Sequence, residues 1–254
     1  MNQLFKMAFR DLVRNKRRTL LSALAVSVGM SLLLLMASIL TGEMRGAIQN
    51  TILLQSGHLQ VRSVNYDENK VSLAWKDLIE NPQQVVSQIE TISEVSVATP
   101  RLFASGIISL GDNSRGVQVI GIDPASAANQ IFRQGLIEGN FLSADDRESI
   151  IIGKLLAEKF GLKVGDQVSL LVNTSNGDLS EQLFTVKGVY TTNTAGYDES
   201  TVFMPLAKAQ TITGAGDHAT LIFILLKDRE QAEAVAIALK YTNYQVLTWR
   251  EMNT

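Results

Sequence analysis

The chain has 254 residues, a formal charge of −2, 46% apolar side chains and no cysteine. The missing thiols exclude disulfides, a thiolate nucleophile and cysteine-ligated zinc. Residues 43–254 carry 17 basic against 24 acidic side chains, which gives nucleic-acid binding no electrostatic support.

The N-terminal stretch is basic and patterned. Phe5, Ala8, Phe9, Leu12 and Val13 recur at helical spacing, with Lys6, Arg10 and Arg14 off that stripe. Residues 1–18 therefore read as a cytoplasmic amphipathic helix suited to the inner membrane surface. An uncharged run follows from Thr19 to Gly42 without proline. As a helix rising about 1.5 Å per residue it spans roughly 36 Å, enough for a hydrocarbon core of about 30 Å. A cleaved signal peptide would have a shorter apolar core and a small-residue site after it. Six basic residues and Asp11 precede the run, so the positive-inside rule places the N-terminus in the cytoplasm and the large domain outside. An exported domain without disulfides suits the bacterial envelope.

Residues 43–55 continue the helix, with Met44, Ala47, Ile48 and Ile52 on one side. Gly57–Arg62 alternates as a strand, Asn81-Pro82 opens a helix bearing Val85, Val86, Ile89 and Ile92, and Val95–Thr99 is a second strand. The end of the chain repeats the pattern: a strand from Thr220 to Leu226, a helix capped by Asp228, and a strand from Tyr244 to Trp249. Two such units resemble the split βαβ arrangement of ferredoxin-like domains. Between them, residues 102–217 hold short strands at 106–110, 117–122, 149–152, 167–172, 183–189 and 201–204, and one helix from Gly153 to Phe160 stopped by Gly161. The fold class is α+β, with a mainly β insert inside a flanking βαβ domain at 43–101 and 218–254.

Catalytic patterns are missing. His58 and His218 are too few for a zinc triad, and the chain has no G-x-S-x-G, S-x-x-K or Walker motif. Asp145, Asp146 and Glu148, and Asp198-Glu199, are the densest acid clusters and read as turn and cap chemistry rather than a glycosidase pair. Lone His58 reads as structural. Gly165-Asp166 is a strand-entry turn, and Trp75 and Trp249 serve packing, an interface or tethering. No catalytic, metal or cofactor residue is assigned, and the chain reads as a non-enzyme.

The pieces together resemble the permease subunits of MacB/FtsX-type ABC transporters, closest to the lipoprotein-releasing branch. The resemblance is carried by Ala8–Leu20, Ser56-Gly57-His58-Leu59-Gln60-Val61, Gly121-Ile122-Asp123-Pro124, Ile150–Ala157, Val164–Val168, Phe184–Val189, Met204–Gln210 and Val246–Glu251. It implies a periplasmic domain with a porter part and an inserted β-rich sabre part, and three further membrane helices. These helices are expected beyond Thr254. It also implies a separate ATP-binding subunit, a second permease copy, and mechanotransmission in place of a transmembrane channel. The expected activity is lipoprotein or amphiphile export from the bacterial inner membrane, with a periplasmic lipoprotein carrier as partner. The alternatives are a signalling permease that controls an envelope hydrolase, and a membrane-anchored envelope enzyme.

Overall fold

The structure is a computed structural model that describes residues 7, 10, 14–67, 70–239 and 244–252, with Arg45 as backbone alone. It divides into two units, residues 1–50 and 51–254. Most of the expected amphipathic helix over 1–18 lies outside the described residues; Met7, Arg10 and Arg14 are helical.

The first unit is built on one helix, α1 (Lys16–Thr51), of 36 residues. It is long and apolar enough to cross a membrane, by length and composition. Its leucines point outward, Leu33 at 72% and Leu21 at 70% exposure. Two of its hydroxyls bond back into the helix, Ser38 to the Leu34 carbonyl and Thr41 to the Ala37 carbonyl, each at 2.8 Å. Such back-bonding satisfies hydroxyls that a hydrocarbon environment would leave without a partner.

The second unit begins with a π-helical turn, Ile52–Ser56. Its first layer is four strands: β1 (Leu59–Ser63), β3 (Val95–Leu110), β11 (Leu221–Leu226) and β12 (Tyr244–Thr248). The order β12-β1-β11-β3 is fourth, first, third, second in the chain, and all neighbours are antiparallel. Helix α2 (Pro82–Ile89) lies between β1 and β3 in sequence, and α7 (Ala232–Leu239) between β11 and β12. Both bury one face: Val85, Val86 and Ile89, with Val235, Ala236 and Leu239, cluster with Leu59, Val61, Ile222 and Ile224. The expected Asp228 cap is present, its carboxylate accepting the Glu230 N–H at 3.0 Å. A two-stranded pair, β2 (Ile79–Glu80) with β10 (His218–Ala219), lies apart from this sheet.

The remaining strands are β4 (Asn113–Ile122), β5 (Leu136–Gly139), β6 (Ser149–Gly153), β7 (Gln167–Asn173), β8 (Leu179–Tyr190) and β9 (Thr201–Pro205). All but β5, which pairs with β8 alone, close into a ring with β3. β3 pairs with β4, β4 with β9, β9 with β6, β6 with β8, β8 with β7, and β7 returns to β3. Alternation sends one set of side chains inward: Leu102, Ala104, Ile108, Val119, Ile150, Ile152, Leu170, Val172, Phe184, Val186, Val202 and Met204 form one buried cluster. A small ring of this kind is filled by its side chains and encloses no channel.

Two expectations are corrected. The strands expected at 95–99 and 106–110 are one continuous strand of 16 residues. Pro100 looks like a breaker in the sequence. It lies opposite Ile222, one residue before the end of the β11 pairing, and the β4 pairing begins only at Arg101, so its missing N–H falls where β3 has one partner. Three short helices, α3 (Gln130–Gln134), α5 (Ala195–Ser200) and α6 (Leu206–Thr213), are additions to the elements expected from sequence. α3 and α5, with five and six residues, are too short to display a 3.6-residue apolar period, and α6 follows directly on β9. The expected helix after Gly153 is α4 (Lys154–Phe160), ended by Gly161 at φ 65°.

Candidate functional site

The most elaborated part of the second unit is the junction where the chain leaves the π turn. The N–H of Gly57 closes the turn on the Ile52 carbonyl at 2.7 Å. Gly57 has φ 66°, and a Cβ there would lie 2.8 Å from the Ile224 carbonyl oxygen and 3.2 Å from the Phe223 ring. Only glycine fits such a left-handed, crowded position. His58 follows, and its Nδ1 accepts the Leu226 N–H at 2.8 Å while its carbonyl accepts the Trp249 N–H at 3.0 Å. Burial lowers the His58 pKa, with Arg229 lowering it further and Asp228 raising it. The imidazole is a bonded structural group, as the sequence suggests. Gln60 then reaches back, its Nε2 donating to the Gln55 carbonyl at 2.8 Å. The stretch Ser56–Gln60 thus ties the π turn to β11, and through Trp249 to the end of β12.

Below this turn lies Arg101, fully buried. Its Nη1 donates to the Leu54 carbonyl at 2.9 Å, and its guanidinium carbon lies 3.7 Å from the Phe223 ring centroid and 6.0 Å from that of Phe132. Nε and Nη2 have no hydrogen-bond partner among the described residues, and no carboxylate pairs with the side chain there. Burial lowers its pKa to about 10, so the group remains charged at neutral pH. Tyr197, whose own pKa is raised by burial and opposed by Arg101, also approaches the Leu54 carbonyl at 3.4 Å. Arg101 sits where β3 exchanges β11 for β4 as its partner, opposite Leu221 on one side and Ile122 on the other.

Beside the junction is a cleft of about 300 Å³ lined by the π turn and by Gln60, Arg62, Tyr66, Phe103, Ile120, Tyr197 and Met252. Gln60 Oε1 accepts from both Nε (2.8 Å) and Nη2 of Arg62. Nη2 also approaches Met252 Sδ at 3.7 Å, and the guanidinium lies 5.4 Å from the Tyr66 ring centroid. Burial lowers the Arg62 pKa and raises that of Tyr66. The far wall is a short helix, α8 (Trp249–Met252), opened by a capping box: the Thr248 N–H donates to Glu251 Oε2 at 2.8 Å and the Glu251 N–H to Thr248 Oγ1 at 3.4 Å.

The acids singled out in the sequence do not converge. Asp146 accepts the Ser143 N–H at 2.8 Å and both its oxygens bond Lys187 Nζ, at 2.6 and 2.9 Å. Burial opposes its ionisation, but the bonds from Lys187 and Ser143 prevail and hold its pKa below the ordinary carboxylate value. Asp198 is buried and binds the Thr192 N–H (2.9 Å) and the hydroxyls of Thr191 and Thr192, both at 2.6 Å. Glu199 pairs with Arg115 and Lys159. Asp166 accepts the Lys163 N–H at 2.8 Å, closing the strand-entry turn. Trp75, 57% exposed, stacks on His218 with ring centroids 5.0 Å apart and donates to the Gly214 carbonyl at 3.1 Å. Trp249 lies 5.0 Å from Arg250 and 5.6 Å from Arg229. No cluster of three metal-ligating side chains occurs among the described residues. Arg101 and the π turn escape a reading by sequence pattern. The one available signal is a cation between Ala98-Thr99-Pro100 and Leu102-Phe103-Ala104.

Residues 19–241 match the MacB-like periplasmic core domain family. The chain belongs to this family. This MacB-like chain is also 25% identical over 229 residues to the lipoprotein-releasing system transmembrane protein LolE of Haemophilus influenzae, covering 86% of the chain and 52% of the relative. It thus spans about half the length of that relative. Its fold is similar to the periplasmic region of MacB from Actinobacillus actinomycetemcomitans, with TM-score 0.52, 14% identity, and coverage of 79% of this chain and 95% of the other. It is also similar to the extracellular domain of the noncanonic ABC-type transporter YknZ from Gram-positive bacteria, with TM-score 0.51, 14% identity, and coverage of 75% and 100%. The resemblance to MacB/FtsX-type permeases, LolE-like in sequence, therefore holds across most of the chain.

Proposed function

We propose that this chain is the first membrane helix and the extracytoplasmic domain of an ABC transporter permease. It would couple ATP hydrolysis by a separate cytoplasmic subunit to movement of the outer domain. The family match carries this reading. The turn Ile52–Ser56 is in keeping with it, because within the second unit that turn is held by Gly57, His58, Gln60 and Arg101. In this reading residues 43–101 and 218–254 form the porter part. The β12-β1-β11-β3 order with two helices on one face supports its split βαβ character. Residues 102–217 form the sabre part, which shares β3 with the porter. The N-terminus is cytoplasmic, and the second unit faces the periplasm of a bacterial inner membrane. The chain itself has no catalytic role.

The substrate class proposed is a lipoprotein or related amphiphile, in keeping with the name of the LolE relative and with a cleft that sets Leu54, Ile120, Phe103 and Met252 beside Gln60 and Arg62. A second permease copy completes the assembly. The test is purification of the full-length permease with its ATP-binding subunit in detergent, followed by mass spectrometry of retained partners. A lipoprotein or its periplasmic carrier is the expected companion. Retention of a cell-wall hydrolase in its place would overturn export in favour of a signalling permease.

A further inference from the structure

We infer that Arg101 is a latch that holds the π turn Ile52–Ser56 in its wide register, and that release of this latch rotates the preceding helix. A π turn accommodates one residue more than the α-helix around it, and such turns are frequent at functional positions. Here the extra residue is held by three contacts. Gly57 closes the turn on Ile52, and Arg101 Nη1 and Tyr197 Oη both converge on the Leu54 carbonyl. The Arg101 side chain is unusual for a buried cation. It lies against Phe223, donates to the Leu54 carbonyl, and leaves Nε and Nη2 without partners among the described residues. A buried charge with two unmet donors is a costly way to fill a core, since apolar residues of similar volume serve stability as well or better. Its placement is explained by the carbonyl it holds. If the turn relaxed to α register, Gly57 would bond Leu53 in place of Ile52, and the Leu54 carbonyl would leave its present position beside Arg101. With about 3.6 residues per turn, absorbing one residue rotates everything N-terminal to it by about 100° and shifts it by about 1.5 Å. Arg101 is thus a positioning residue for the helix end. It stands where the flat layer meets the closed ring, so strain in either layer can reach the turn through β3.

The experiment compares wild type, Arg101→Met and Arg101→Lys in the full chain, reconstituted in lipid nanodiscs, by amide hydrogen exchange. In Arg101→Met the amides of residues 53–57 are expected to exchange at least tenfold faster, while those of β4 and β11 keep wild-type protection. Arg101→Lys keeps a cation within reach of the Leu54 carbonyl and is expected to restore most of the protection. Unchanged exchange at 53–57 in Arg101→Met would overturn the latch. So would a uniform loss of protection across the second unit that Lys does not repair, because Arg101 would then be a packing residue. Rotation is read separately. The chain has no cysteine, so spin labels at Thr51→Cys, the residue before the turn, and Asp112→Cys report one distance within the second unit. A second distance population in Arg101→Met supports the register change, and a single unshifted population argues against it. None of these readouts needs a transport partner, so they fail or succeed independently of the export reading.

Discussion

Single residues carry the junction, and they set sharp expectations. Gly57→Ala would force a Cβ to 2.8 Å from the Ile224 carbonyl at φ 66°. Left-handed strain plus that clash should cost about 2–4 kcal/mol, seen as a fall in the urea midpoint without a change in slope. Gly153 is the second case. A Cβ there would meet the Asp198 carbonyl oxygen at 2.1 Å, so the glycine of Ile152-Gly153-Lys154 lets α5 lie on the β6–α4 turn. His58 gives a pH signature. Its pKa is lowered in the folded protein, so the unfolded chain binds the proton more readily on acidification. Its contribution is fully present above about pH 6.5, the ordinary histidine value, and is lost as pH falls through the lowered folded value. Denaturant midpoints between about pH 7.5 and 5 should therefore decline more steeply in wild type than in His58→Gln. Equal slopes would assign the titration elsewhere.

At the scale of elements, the capping box at Thr248–Glu251 sets the start of α8 beside the π turn. Thr248→Ala should cost about 1 kcal/mol and fray residues 249–252, detectable as faster amide exchange there with β1 unaffected. Phe184 fills the interior of the closed ring, so Phe184→Ala should lose about 3–5 kcal/mol, measured by denaturant unfolding. The legibility of the elements follows from the same physics. Strands with clean alternation, such as β7 with Val168, Leu170 and Val172 inward, are readable from sequence, as are helices with an Asp or Gly at their ends. The quoted motifs are readable because they are turn and junction residues whose chemistry is local: Asp123 caps its turn through the Ala125 N–H at 2.9 Å. The continuity of β3, the closure of β7 onto β3 and the burial of Arg101 are not readable. They depend on which strands meet across long separations, as when Ile107 pairs with Leu171, and no local pattern encodes that.

For the molecule as a whole, the apolar helix and the basic segment before it lead to a topology test. With the N-terminus cytoplasmic, Asp112→Cys at the β3–β4 hairpin should react with a membrane-impermeant maleimide in intact spheroplasts, and Asn15→Cys only after lysis. The reverse pattern would invert the proposed orientation. The same two labels test the proposed periplasmic exposure of the second unit.

The strand β3 belongs at once to the four-stranded layer and to the closed ring. At about 3.3 Å per residue its 16 residues make a beam roughly 53 Å long. Hinging the two layers on each other would break hydrogen bonds along that beam, so the layers are joined by unbroken strand from Val95 to Leu110. Within the second unit, one backbone thus serves as a common support for both layers.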